Sequence, residues 1–310
     1  MTTQHDLARD GKLSRPDPLL PHGSEFVLTL SCDDQIGIVH AVSGFLVNHA
    51  CNILDSAQFG DPDTNRFFMR VAFVCTTTAL RATPLSVGEL RAAFAPIAGR
   101  FAMTFEFRDS SVKPRVLIMV SRHGHCLNDL LFRFGSGELP VDIPAVISNH
   151  PDFAQLTESY GVPFYHLPVS RETAAEQEAR MLDLVRQERV DLVVLARYMQ
   201  VLSEEACAAL AGRAINIHHS FLPSFKGAKP YAQAYARGVK LIGATAHYVT
   251  STLDEGPIIE QDVARVDHAA GISDLVAIGR DVECMVLARA VKLHVAQRVL
   301  PNGPRTVVFR

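Results

Sequence analysis

The chain contains no tryptophan, and aromatic residues make up only 7% of it. Proteins that grip single-stranded nucleic acid rely on such rings as stacking platforms, so that class of partner is disfavoured. An excess of positive charge is missing too: 30 Lys and Arg stand against 33 Asp and Glu, a net charge of -3. The balance excludes the basic footprint of a nucleic-acid or anionic-membrane binder. No apolar run is long enough to span a bilayer, and residues 1–20 carry no apolar leader. The cysteines (Cys32, Cys51, Cys75, Cys126, Cys207 and Cys284) form no C-x-x-C pair. Their scatter predicts reduced, mostly buried thiols in a cytoplasmic protein, with neither a disulfide framework nor a zinc site. Dinucleotide and phosphate-loop fingerprints are absent as well.

What is present is ordinary globular material. Hydrophobic residues are 48% and charged residues 20% of 310, enough for two domains with full cores. Residues 1–23 hold three prolines and scattered charge and read as a flexible tail. Strands are predicted over 25–32, 52–58, 67–76 and 101–107, and helices over 37–49 and 84–97. The order β-α-β-β-α-β within about 85 residues is a ferredoxin-like pattern. Asp109-Ser110-Ser111 reads as a linker. Beyond it, apolar strands at 115–120, 143–148, 163–166, 192–196, 214–217 and 241–249 alternate with helices at 125–134 and 171–188, before a helix over 273–299. Buried strands alternating with helices signal an α/β unit with a mostly parallel, Rossmann-like sheet. Ligands of such sheets bind beyond the carboxyl ends of strands, which directs attention to the residues after Val120, Ala196, Ile217 and Val249.

Three segments there carry chemistry. In A-I-N-I-H-H-S-F-L-P-S-F-K-G (Ala214–Gly227), Asn216 and His218 stand two apart on a strand and so point to one side. Asp254 lies in the turn of H-Y-V-T-S-T-L-D-E-G-P-I-I (His247–Ile259), and Leu195–Ser203 ends an apolar strand. An amide, an imidazole and a carboxylate suit attack on a carbonyl by water or an amine. Equally, Asn at a strand end satisfies backbone groups and Asp before Glu-Gly-Pro makes an ordinary turn. His218 and His219, adjacent on a strand, would face opposite sides and share no metal ion, so no metal site is expected. His247 stays open between a pocket position and a core histidine.

N-I-H-x-S-x-L-P-x-F-x-G followed by D-x-G-P-I-I resembles the formyltransferase domain of the tetrahydrofolate-dependent formyl enzymes, over Arg115 to about Leu300. The ferredoxin-like segment, with its D-D-Q-I-G-I-V turn, resembles an ACT regulatory module. An ACT module ahead of this domain is the arrangement of the family's water-using branch. The resemblance implies an ACT domain over 24–108 and a catalytic domain over 113–310. It implies hydrolysis of 10-formyltetrahydrofolate to tetrahydrofolate and formate, the formate feeding purine synthesis. On this basis Asn216 polarises the formyl oxygen, His218 is the catalytic imidazole and Asp254 accepts or relays the water's proton. Met199, Gln200, Val201 and Leu202 line the pterin pocket, with His247 beside it. Gly37 gives an effector, methionine or glycine, access to the ACT backbone. No cofactor is implied beyond the folate substrate, and a homo-oligomer, dimer or tetramer, is expected.

The alternatives are a glycinamide ribonucleotide formyltransferase and a non-catalytic amino-acid or folate sensor. Transferases of the family carry a small G-S-N-like turn for phosphate and a proline after the catalytic histidine. Here the turn is Ser121-Arg122-His123-Gly124-His125-Cys126, and His219 replaces the proline. A relative acting on methionyl-tRNA would need a basic C-terminal domain, and here the chain is expected to end soon after its last helix. Lys226, Lys229 and Arg237 read as solvated cations rather than a clamp for the glutamate tail.

Overall fold

The computed structural model describes residues 23–76, 85–223 and 230–310. The expected tail, apart from Gly23, and Pro84, Lys226 and Lys229 lie outside the described residues. The first unit runs β1 (Gly23–Asp33), α1 (Ile38–Asn48), β2 (Cys51–Asp61), β3 (Arg66–Thr76), α2 (Val87–Arg100) and β4 (Thr104–Asp109). Its antiparallel sheet has the order β2-β3-β1-β4. Both helices cover one face, where Phe45, Phe73, Phe94 and Phe107 meet largely edge to face. The second helix starts at Ser86 and Glu89, which cap each other reciprocally. Phe101, expected to open the last strand, instead ends that helix; Phe101, Met103 and Phe107 nevertheless all face the core. Alternation continues through the turn because the same core lies beneath both.

The second unit runs β5 (Val116–Val120), α3 (His125–Gly135), β6 (Val146–Ser148), α4 (Ala154–Ser159), β7 (Phe164–His166), α5 (Ala174–Gln187), β8 (Leu192–Leu195) and α6 (Glu204–Ala209). It continues with β9 (Ala214–His218), α7 (Pro230–Arg237), β10 (Leu241–Tyr248), β11 (Ile258–Arg265) and α8 (Ile272–Val295). The sheet order is β11-β10-β9-β8-β5-β6-β7, parallel from β9 to β7. One face buries Leu127, Val286 and Leu287 of α3 and α8; the other buries Met181 and Val185 of α5. Strand order reverses between β5 and β8, and the crevice at that point is where such sheets hold ligands. β10 departs from expectation: it runs antiparallel to β9, so Val249 lies at the opposite end of the sheet from His218. Leu287, fully buried on α8, is a measure of this core. Leu287→Ala is expected to cost about 2–5 kcal/mol, seen as a lower urea midpoint with an unchanged slope.

Two further expectations are corrected. The last helix stops at Val295 rather than 299, and a hairpin follows, β12 (Val299–Asn302) and β13 (Arg305–Val308). Its Leu300, Val307 and Phe309 pack on Phe68, covering the outer face of the four-stranded sheet. That cover explains why β3 is buried between its two end residues. Arg70, buried on β3, donates to the carbonyl of Ala296 and to Asp55, and Asp61 accepts from Asn302 and Arg305. The second correction is a disulfide between Cys51 and Cys75, which the expected reduced set did not include. They are direct partners across β2 and β3, 4.1 Å apart at Cα, a proximity set by strand register and invisible in the spacing. Among the described residues, no helix is long and apolar enough to cross a membrane.

Candidate active site

β9 presents Asn216 and His218 on the same side, as their spacing predicts, and both line a cavity of about 570 Å³. Across the strand pair Asn216 stands opposite His247. The loop after β10 then folds back, so Asp254 returns to this end of the sheet despite the antiparallel strand. Gly256 permits the return: a Cβ there would lie 1.7 Å from the Tyr248 carbonyl oxygen. Asp254 itself takes a left-handed φ of 56°, which Asp tolerates better than most residues.

Hydrogen bonding sets the protonation pattern. His218 Nδ1 is 3.2 Å from Asp254 Oδ1, so this nitrogen donates to the carboxylate. Nε2 of His218 is then an unprotonated acceptor; it is buried and, among the described residues, has no partner. His247 donates from Nδ1 to the Tyr248 carbonyl at 2.8 Å, leaving its Nε2 to accept from Asn216 Nδ2 at 3.3 Å. His247 Nε2 lies 3.7 Å from Asp254 Oδ1. The hydrogen bond from His218 above all holds Asp254 well below the usual carboxylate range.

The cavity wall comes from the segment after β8. Met199, Gln200 and Val201 line it, with Met199 and Val201 more than half exposed. Ser121 fixes this wall: its hydroxyl accepts from the Met199 amide at 2.9 Å and donates to Asn149 at 2.7 Å. Leu202 differs. It packs with the core on the α5 side and lines an adjoining cavity of about 660 Å³ that shares Tyr198, Gln200 and Val201 with the first. Gly37 lies far along the chain at the start of α1, where its φ of 99° favours glycine. Arg237 is exposed on α7.

His219 was expected to face away from His218, yet the rings stack with centroids 5.0 Å apart. Strand alternation lapses because β9 ends at His218. His219 Nδ1 meets the Arg197 guanidinium, and Arg197 Nε approaches Glu283 Oε2 at 3.4 Å. Glu283 is almost wholly buried and also takes bonds from His125 at 2.7 Å and Tyr231 at 2.6 Å. Burial alone would raise its pKa, but those bonds and the Arg197 charge outweigh it and hold Glu283 ionised. Sequence reasoning gave Arg197 and Glu283 no role. The available signal was a carboxylate among Leu275, Gly279, Val282, Val286 and Leu287, the apolar face of α8. His125, Cys126 and Glu283 bring their ligand atoms within 4.8 Å of one another. The donor set suits a metal poorly: Glu283 is engaged by His125 and Tyr231, and hydrogen bonding to Cys284 and burial push the Cys126 thiol well up.

Residues 114–291 match the formyl transferase family. A formyltetrahydrofolate deformylase from Corynebacterium sp. (strain P-1) is 54% identical over 92% of this chain and 98% of its own length. The chain belongs to the formyltetrahydrofolate deformylase family. A crystal structure of a deformylase from Burkholderia mallei superposes with a TM-score of 0.86 at 57% identity, covering 93% of this chain and all of that one. A glycinamide ribonucleotide transformylase from Symbiobacterium toebii superposes at 0.61 with 28% identity and covers only 65% of this chain, though 97% of its own. The deformylases thus share nearly the whole chain, whereas the transformylase shares about two thirds of it.

Proposed function

We propose that the protein hydrolyses 10-formyltetrahydrofolate to tetrahydrofolate and formate. The observation that carries this reading is the buried Nε2 of His218, which has no partner among the described residues and is held as an acceptor by Asp254 beside the Asn216 amide. In the reaction, Nε2 takes a proton from water as its oxygen attacks the formyl carbon. Asn216 donates to the oxygen that becomes negative. The imidazolium then returns the proton to N10, the C–N bond breaks and formate leaves. Asp254 stays ionised and steadies the imidazolium rather than taking the proton, because the hydrogen bond from His218 favours the charged form. The pterin lies along the exposed apolar side chains of Met199 and Val201, with polar atoms of Gln200 and the backbone at its edge. Leu202 supports that wall from behind. No cofactor enters this scheme.

Purified protein given 10-formyltetrahydrofolate without any amine should release formate. Silence in that assay, with formyl transfer on adding glycinamide ribonucleotide, would assign the runner-up activity instead. Asn216→Ala is expected to lower kcat about 10²- to 10³-fold with little change in KM, measured by the same assay.

In this reading the chain divides into a regulatory unit over 24–108, of ACT type, and a catalytic unit over 113–310, in a cytoplasmic enzyme. Sheet order β2-β3-β1-β4 with two helices on one face supports the ACT assignment. The effector, methionine or glycine, binds at the turn around Gly37, and calorimetry with each amino acid tests this. Exposed Ile53, Leu54 and Phe59 on edge strand β2 support self-association as a dimer or tetramer, to be read from native mass.

A further inference from the structure

His219 is not needed as a base, since His218 fills that role, yet the fold takes care over its state. A guanidinium can only donate hydrogen bonds, so the contact with Arg197 makes His219 Nδ1 an acceptor. A neutral His219 must then carry its proton on Nε2. Burial, then the Arg197 charge, pushes its pKa down to about 4, so neutral it is. Glu283, anchored by His125 and Tyr231, holds Arg197 in turn. The ring stacks on His218 and lines the cavity. Two imidazoles therefore stand side by side with opposite capacities: an acceptor on His218 and an N–H donor on His219.

We propose that His219 selects water as the formyl acceptor, by donating Nε2–H to a lone pair of the attacking oxygen. The proposal rests on the hydrolase reading. Water has two lone pairs and can accept from His219 while attacking with the other. A primary amine has one lone pair, and an N–H bonded to it blocks attack. Proton flow balances: one water proton passes to His218 Nε2 and then to N10, and the other leaves with formic acid. Arg197 and Glu283 are positioning residues that fix the tautomer of His219.

The test measures formate and formylglycinamide together, from 10-formyltetrahydrofolate with glycinamide added as a small amine. The wild type should give formate alone. His219→Ala should hydrolyse about 10²-fold more slowly and divert formyl to glycinamide, with the product ratio moved at least about tenfold. His219→Asn keeps an N–H donor and should recover much of the hydrolysis and suppress transfer. Titration with tetrahydrofolate checks that each variant is folded; if the alanine variant is not, His219→Phe takes its place. In Arg197→Met the His219 pKa should rise, adding an inflection to the pH–rate profile above that of the wild type. A wild type that releases no formate defeats the hydrolase reading itself. A wild type that hydrolyses, beside donor-less variants that match it or give the same product ratio as His219→Asn, overturns the role of His219 alone.

Discussion

Replacing His218 by alanine lowers kcat by about 10³- to 10⁴-fold while tetrahydrofolate still binds. The size follows from what the side chain does twice in one turnover. Its Nε2 removes a proton from a poor nucleophile and later supplies it to a poor leaving group. Neither neighbour can substitute. Asp254 is held ionised far below neutral pH, too weak a base to deprotonate water, and His247 Nε2 is committed to Asn216. Binding survives because the wall from Met199 to Leu202 is fixed by Ser121 and the core on the α5 side, not by His218. Single-turnover rates and a separate binding titration distinguish the two effects. Near-normal turnover in this variant would remove His218 from the mechanism.

Asp254→Asn is expected to cost almost as much, about 10³-fold or more, with the cavity intact. The carboxylate can only accept, and this forces the His218 proton onto Nδ1. An amide can donate to Nδ1 instead, which moves the proton to Nε2 and leaves no acceptor facing the water. It also removes the negative charge that steadies the imidazolium. The same carboxylate has a consequence for stability. Its folded pKa is depressed below an ordinary value of about 4, so its contribution is complete above that pH and drains as pH falls through the folded value. The wild type should therefore lose stability in acid more steeply than Asp254→Asn, in melting curves taken below about pH 4.

Much of this site was legible because it is local. Asn216 and His218 share a strand, and period-two alternation alone brings them together. The wall at 199–201 follows an apolar strand of a parallel sheet, where ligands gather. What failed was non-local. Strand β10 is buried like its parallel neighbours and nothing in its residues marks its direction, so its reversal left no mark, and only Gly256 hints at the loop that returns Asp254. Cys51 and Cys75 meet through register, which composition does not encode. The hairpin was different: Asn302-Gly303 between apolar runs is a strong turn signal, overlooked because Val299 continues the apolar spacing of α8. Arg197 and Glu283 are separated by a long stretch of chain, and nothing short of the folded structure shows that one buried carboxylate organises His125, Tyr231 and the guanidinium against His219.

The central claim is that water is the formyl acceptor, and the origin of the formate oxygens tests it most directly. A single turnover of 10-formyltetrahydrofolate in 18O-labelled water, with no amine present, should give formate carrying one labelled oxygen, read by mass spectrometry. Unlabelled formate, or none until an amine is supplied, would contradict the account.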